Sequence, residues 1–368
     1  MGNAVPNRYY NSAIQKARTG AITATSGTLF DSAKPETTMS FETGLEMLFF
    51  DSRLSLDLTY YSATVKDLYL PIVNTAGLTV YENSAKVRNQ GFESTLGYNF
   101  RFGKELRWRT ALNFAYNFNK ILAVGYDEAG RKKQIYKDVA GVRVRYFEGD
   151  SFGDMYVRDL RRNDDGTIFM STNGNIMKQQ RYTKHIGNMN SKFQLGWTNT
   201  LNFKEFQLSF LVNGRIGGKV ISLTEATLDE MGLSERTADA RDNAIANGLF
   251  TESGEAAMYL PDGSGRTIGV RNYYQVMGAR NSQYSPLYVY DATNFRLREL
   301  SLAYTFRNLL GEGKNISVSF IGRNLFFLYK KAPVDPDVSI STGNGLSGFE
   351  FFNMPSTRSF GFNVKMNF

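Results

Sequence analysis

The chain contains no cysteine and a single histidine in 368 residues. Without cysteine, disulfide frameworks, thiol chemistry and cysteine-held metals are excluded. No stretch approaches the ~18–20 consecutive apolar residues of a membrane-spanning helix, and the mean hydropathy is −0.34. Residues 1–15 (MGNAVPNRYYNSAIQ) carry no basic-then-apolar leader, so the chain is expected either to be soluble or to lack its true beginning. The formal charge of +8 is spread along the sequence and not gathered in a tail, which gives no footing to a nucleic-acid partner. What the sequence has in quantity is 28 Phe, 21 Tyr and 34 Gly, a load that suits a membrane barrel with aromatic girdles and hides from hydropathy scans.

The last twelve residues, TRSFGFNVKMNF, place Phe360, Phe362, Val364, Met366 and Phe368 on one parity and Ser359, Gly361, Asn363, Lys365 and Asn367 on the other. That alternation predicts a strand with one apolar and one polar face, and bacterial outer-membrane barrels close on such a strand. The same pattern recurs eight times upstream, over residues 39–49, 53–61, 92–100, 108–119, 193–201, 206–213, 300–306 and 316–320. Residues 8–18 read as a short helix and 223–246 as helical.

Connection lengths alternate strictly. Short links fall at 49–52, 102–105, 204–205 and 307–314; long ones at 67–87, 120–190, 219–293 and 330–356. Short turns on one side and long loops on the other are the mark of an outer-membrane barrel. The predicted fold is therefore all-β: an antiparallel transmembrane β-barrel portion of about nine strands with long extracellular loops, one partly helical. Nine strands put the two termini on opposite sides, whereas bacterial barrels have even strand numbers. Open edges in lipid cost several kcal/mol for each unpaired backbone group. The barrel is thus expected to be incomplete, with 1–36 a loop remnant on the extracellular side and 37–368 the C-terminal part of the barrel.

Several segments resemble the C-terminal half of the SusC/RagA family of TonB-dependent outer-membrane transporters of Bacteroidetes. Lys34-Pro35-Glu36 before the FETGL strand resembles the family's K-P-E segment; FFDSRLSLDLTYYSATVKDLYLPI (49–72) is similar to its R-L-x-L-D-x-T-Y-Y stretch, and KVRNQGFE (86–93) to its N-x-G-x-E motif. EGDSFGDMYVRD (148–159), NFRLRELSLAYTF (294–306), GRNLFFL (322–328), APVDPDVS (332–339) and the ending from Met354 follow in the family's order, with Asp337 where the family's D-P-E has Glu. The resemblance implies a 22-strand plugged barrel in the cell outer membrane, importing oligosaccharide or peptide fragments. It further implies a SusD-like lipoprotein partner, with TonB engaged only through an N-terminal part that this chain lacks. Rival readings are a surface-exposed β-rich adhesin and an outer-membrane hydrolase.

Candidate sites are few. A hydrolase would have to use His185 with Ser191 or Ser171, but no nucleophile elbow is present; no catalytic residue and no cofactor are expected. Asp159 to Gly166 (DLRRNDDG) resembles a calcium loop but has the wrong acid spacing, so Asn163 to Gly166 reads as a hairpin turn, with a loop calcium as the alternative. Tyr60, Tyr61, Trp108, Phe118, Phe203 and Phe306 read as interfacial girdle positions. Ligand stacking is assigned to the loop aromatics Tyr146, Phe152, Tyr156, Tyr273, Tyr274, Phe349 and Phe352, and barrel assembly to the final strand from Phe360 to Phe368.

Overall fold

The computed structural model describes residues 34–73, 79–126, 130–133, 135–279, 283–309, 311–340 and 347–367, together with the backbone of Ile14–Lys16, Ile22–Ala24 and Leu29–Phe30. Among the described residues, one large antiparallel sheet dominates. Its consecutive strands are β1 (Thr37–Phe49), β2 (Leu54–Val73), β3 (Thr79–Phe102), β4 (Leu106–Val124), β5 (Phe193–Phe203), β6 (Phe206–Ile216), β7 (Asn294–Phe306), β8 (Asn315–Lys330) and β9 (Ser359–Asn367). Each pairs with its sequence neighbours, and β1 and β9 are the two edges. The barrel is not closed.

The register explains why the sheet has two chemistries. One row across eight strands reads Met47, Leu56, Leu96, Leu112, Trp197, Val212, Leu297 and Phe326. One residue away, the opposite face reads Glu46, Asp57, Thr95, Asn113, Gly196, Asn213 and Arg296. Because side chains alternate along every strand, a one-residue slip would exchange these rows, so register is fixed by what each face meets. The apolar face is exposed: Leu45, Phe92, Leu112, Leu302, Phe320 and Phe362 all keep much of their surface uncovered. Among the described residues no second layer packs on them, as one would in a soluble sandwich. They form the lipid-facing band.

At the short-turn end the band finishes in an aromatic girdle. Phe100 stacks on Trp108 at 4.7 Å, Tyr98 lies 4.2 Å from Phe100, and Tyr304 contacts both Phe206 (4.7 Å) and Phe306 (4.8 Å). Trp108 Nε1 donates to Asn199 Oδ1 (3.0 Å) and Trp197 Nε1 to Thr110 Oγ1 (2.9 Å), so both indoles satisfy their N–H groups within the wall. Tyr61 does not belong to this girdle. Its register partner is Gly91, on the polar face, and its hydroxyl bonds Asn117 (3.1 Å).

Two expectations are corrected at the other end. Residues 67–87 are not a long loop, since β2 runs to Val73 and β3 starts at Thr79. These strands, 20 and 24 residues long, are about twice the 9–11 residues that cross a bilayer. Their upper parts leave the band and bury Leu70, Ala85 and Val87 in a core shared with Ile121 and Val124 of β4. The helix expected over 8–18 falls mostly outside the described residues, and Ile14–Lys16 within it is extended and paired with Ile22–Ala24. The helical stretch at 223–246 is present as α1 (Leu223–Met231) and α2 (Glu235–Ala246). Gly232 ends α1 in the left-handed region (φ 71°) and Ser234 caps α2, which are the expected C- and N-terminal devices. A third helix, α3 (Val270–Gly278), follows.

Candidate functional site

The polar face forms an open trough of about 1060 Å³. Its floor is small and amide-rich because the strands supply Thr95, Asn113, Ala115, Gln194, Gly196 and Asn213 at this height. Gly91, within the NQGFE segment, is required by packing: a Cβ there would lie 2.4 Å from the Tyr116 carbonyl oxygen and from the Tyr61 hydroxyl. The acids Asp57 and Glu93 stand on β2 and β3, while Arg215 and Arg298 line the opposite side.

Those arginines hold a loop in place. Arg296 is buried and pairs with Asp335 at 2.6 Å; Asp337 lies 3.3 Å from Arg215, 3.8 Å from Arg296 and 4.0 Å from Arg298. The Asp335-Pro336-Asp337 segment is thus an ionic clamp that draws residues 331–340 against β6 and β7. Burial pushes the Asp335 carboxyl up, but hydrogen bonds from Ser356 and Arg296 bring it below the usual carboxylate range. Asn324, in the GRNL segment, adopts φ 51°, a conformation asparagine tolerates better than most residues. It joins Arg298 Nη1 (2.9 Å) to the Thr357 carbonyl (3.3 Å), tying β7 to the approach of β9.

Above the trough, residues 125–192 build a four-stranded sheet from Ile135–Val139, Val142–Tyr146, Asp154–Val157 and Lys184–Asn188. The alternation VRVRY puts Val142, Val144 and Tyr146 into the core with Ile121 and Val87 of the wall. Asn119 fixes the attachment, accepting from Ser151 Oγ (2.7 Å) and the Phe152 backbone N–H (2.5 Å). The other face carries arginine and tyrosine. Arg143 lies 3.6 Å over Tyr136 and 4.3 Å over Tyr182, and Arg145 3.6 Å over Tyr156. Arg143 is also paired bidentately with Asp138 (2.7 and 2.7 Å), and Arg145 with Asp150 (2.9 Å).

The aromatics singled out from the sequence divide by burial. Tyr146 (2% exposed), Tyr273 (6%), Tyr274 (7%) and Phe349 (0%) are core residues of the loops, so they offer no ring face to a ligand. Burial accordingly pushes the Tyr146 and Tyr273 hydroxyls up to about 12. Phe152 lines the trough, Tyr156 lies on the arginine-tyrosine face, and Phe352 is exposed. Tyr136, Tyr182, Arg143 and Arg145 were missed as a group, although VRVRY is a strand pattern with one charged face. On β9, Phe360, Phe362, Val364 and Met366 are all exposed on the lipid side; Phe368 lies outside the described residues.

Residues 163–166 do form a turn, closed by Gly166 N–H to the Asn163 carbonyl (3.0 Å). Asp159 is engaged elsewhere: it accepts from Tyr284 Oη (2.7 Å) and Lys184 Nζ (3.1 Å). Burial raises its carboxyl, but these bonds outweigh that and leave it below the ordinary range. Among the described residues, no three His, Asp or Glu side chains converge as a metal site. His185 is half exposed, 3.5 Å from Asp154, with its ring tilted against that of Tyr156 at 5.0 Å; among the described residues no serine hydroxyl is bonded to it.

Comparison with known proteins agrees with this geometry. TonB-dependent receptor P3 and TonB-dependent receptor P26 of Formosa agariphila are each 24% identical to the chain, over 92% and 90% of it. The chain spans about a third of these relatives, 35% and 34% of their lengths. Two solved structures share the fold at 16% identity: the RagAB peptide transporter (TM-score 0.63, covering 90% of this chain and 35% of that one) and the RagAB peptide importer in its 'open-open' state (0.67, 100% and 38%). The sequence profile described as "TonB dependent receptor-like, beta-barrel" matches residues 4–213. With its lipid-facing band, polar interior and matching profile, the chain belongs to the TonB-dependent receptor-like β-barrel family of the outer membrane.

Proposed function

We propose that this chain is the C-terminal barrel segment, residues 37–368, of an importer that carries glycan or peptide oligomers across the outer membrane. The observation behind the reading is a wide, polar, amide-floored trough inside an apolar wall, beneath loops that pack into two separate cores. Amide and hydroxyl groups bond oligomer backbones or sugar hydroxyls without trapping one charge, which suits passage better than tight retention. On this reading Phe152, Tyr156 and Phe352 are the loop aromatics available to stack on a ligand. A SusD-like lipoprotein would cover the loop end, TonB would act through the part of the protein outside this chain, and β9 would serve as the closing strand in assembly. Catalysis forms no part of the reading: the relatives found are named as receptors, and among the described residues no serine hydroxyl is bonded to His185.

The experiment is uptake by whole cells. Deleting the gene, or dissipating the inner-membrane proton gradient, should stop entry of fluorescent oligomers too large for general pores. A lipoprotein should co-purify with the detergent-extracted protein. Undiminished uptake under both treatments would sink the import reading.

A further inference from the structure

On the solvent face of the four-stranded loop sheet, the arginine-tyrosine stack has one unbalanced end. Tyr136, Arg143, Tyr182 and Arg158 alternate ring and guanidinium, with Arg158 lying 4.8 Å over Tyr182. Arg143 has its carboxylate in Asp138. Arg158 is exposed and, among the described residues, has neither a carboxylate nor a hydrogen-bond acceptor. Stacking on a ring fixes a guanidinium plane while leaving its in-plane N–H edge open. That edge matches a carboxylate or sulfate bidentately.

The surroundings favour an anion. Residues 125–192 contain 13 Lys and Arg against 9 Asp and Glu, half of the chain's +8. Lys178 is held below the ordinary lysine range, to about 8, by burial first and then by the charge of Arg158, which places a second cation within electrostatic reach. Asp159, the next residue along, is committed to Tyr284 and Lys184 and does not neutralise Arg158.

We propose that Arg158 is an anion subsite for an acidic sugar oligomer, binding a uronate carboxylate or a sulfate ester edge-on at the end of the stack. The same face presents the half-exposed groups Asp138 and His185, planar polar partners for ring hydroxyls on neighbouring sugars. It carries arginine and tyrosine where a peptide side chain would need an apolar recess. The inference rests on the import reading and narrows its substrate class.

Isothermal titration of the whole detergent-extracted protein tests it, with three hexasaccharides: an oligogalacturonate, a sulfated maltohexaose and neutral maltohexaose. An acidic hexapeptide serves as a fourth probe. At least one acidic sugar should bind more tightly than the neutral one, and the one that does identifies carboxylate or sulfate as the group. Its affinity should fall with salt and drop about tenfold, 1.4 kcal/mol, in Arg158→Gln, with Arg158→Lys in between because it keeps charge but not the fork. Heat-modifiability on gels verifies that each variant is folded. If the neutral sugar binds as well as the acidic ones, or Arg158→Gln leaves acidic-sugar affinity unchanged, the subsite is overturned and the import reading stands. Preference for the acidic peptide, lost in Arg158→Gln, overturns the sugar assignment. Failure of every probe to bind overturns the subsite, and the uptake experiment alone then decides the import reading.

Discussion

Arg296 meets Asp335 at 2.6 Å with both side chains almost withdrawn from water, 4% and 8% exposed. Removing one partner of such a pair strands a buried charge, whereas replacing both with apolar groups removes two desolvation penalties. Asp335→Ala should therefore destabilise the packing of residues 331–340 by about 3–5 kcal/mol. Arg296→Met combined with Asp335→Leu should recover much of that. Limited proteolysis within 331–340, compared across the two single variants and the double, checks the expectation. Equal cleavage in all of them would show that the ion pair does not hold the loop.

The two faces of β7 differ by one residue. An arginine facing lipid near the bilayer midplane costs about 2–4 kcal/mol, while one facing the lumen is tolerated. Leu302→Arg should reduce the folded, heat-modifiable fraction in outer membranes, and Ala303→Arg should not. Matching losses from both would mean that the exposed apolar row does not face lipid.

Gly91 and Gly361 provide a matched pair on this sheet. A Cβ at Gly91 meets the Tyr116 carbonyl and Tyr61 hydroxyl at 2.4 Å, but at Gly361 it meets nothing within 4 Å. Overpacking of this kind costs about 1–3 kcal/mol, so Gly91→Ala should lower the unfolding midpoint in urea while Gly361→Ala leaves it close to wild type.

Lys178 gives a pH signature outside the membrane. Its folded value is depressed to about 8, from 10.5, chiefly by burial. Between those values the unfolded chain holds the proton and the folded loop does not, so stability rises with pH across that window and is flat for this group below it. Hydrogen exchange of residues 160–178 should slow, relative to intrinsic rates, as pH rises through the window. Lys178→Met should abolish that dependence while adding stability at neutral pH, because the buried ammonium's desolvation is removed.

The wall was legible in the sequence because lipid and water impose opposite demands on alternate residues. Leu112 and Asn113, or Leu302 and Ala303, declare their faces without reference to any partner. Link lengths were equally plain except at 67–87, where the strand pattern weakens. There Leu70, Ala85 and Val87 leave lipid for a protein core, so period-two alternation no longer separates apolar from polar. Burial of four of the loop aromatics, Tyr146, Tyr273, Tyr274 and Phe349, was hidden for a related reason. Tyr273 and Tyr274 sit on α3 against the hairpin stack of Leu160, Ile168 and Ile176, contacts made across more than ninety residues that no local pattern encodes. The stack at Tyr136 and Arg143 depends likewise on pairing between strands, although VRVRY marked one of them.

The elongation of β3 and β4 past the lipid band has a mechanical corollary. Val87 and Ile121 are wall residues and, at the same time, members of the core beneath the four-stranded sheet. That sheet cannot swing aside as a hinged flap without tearing its own foundation. Any displacement of that sheet would have to carry the upper ends of β3 and β4 with it.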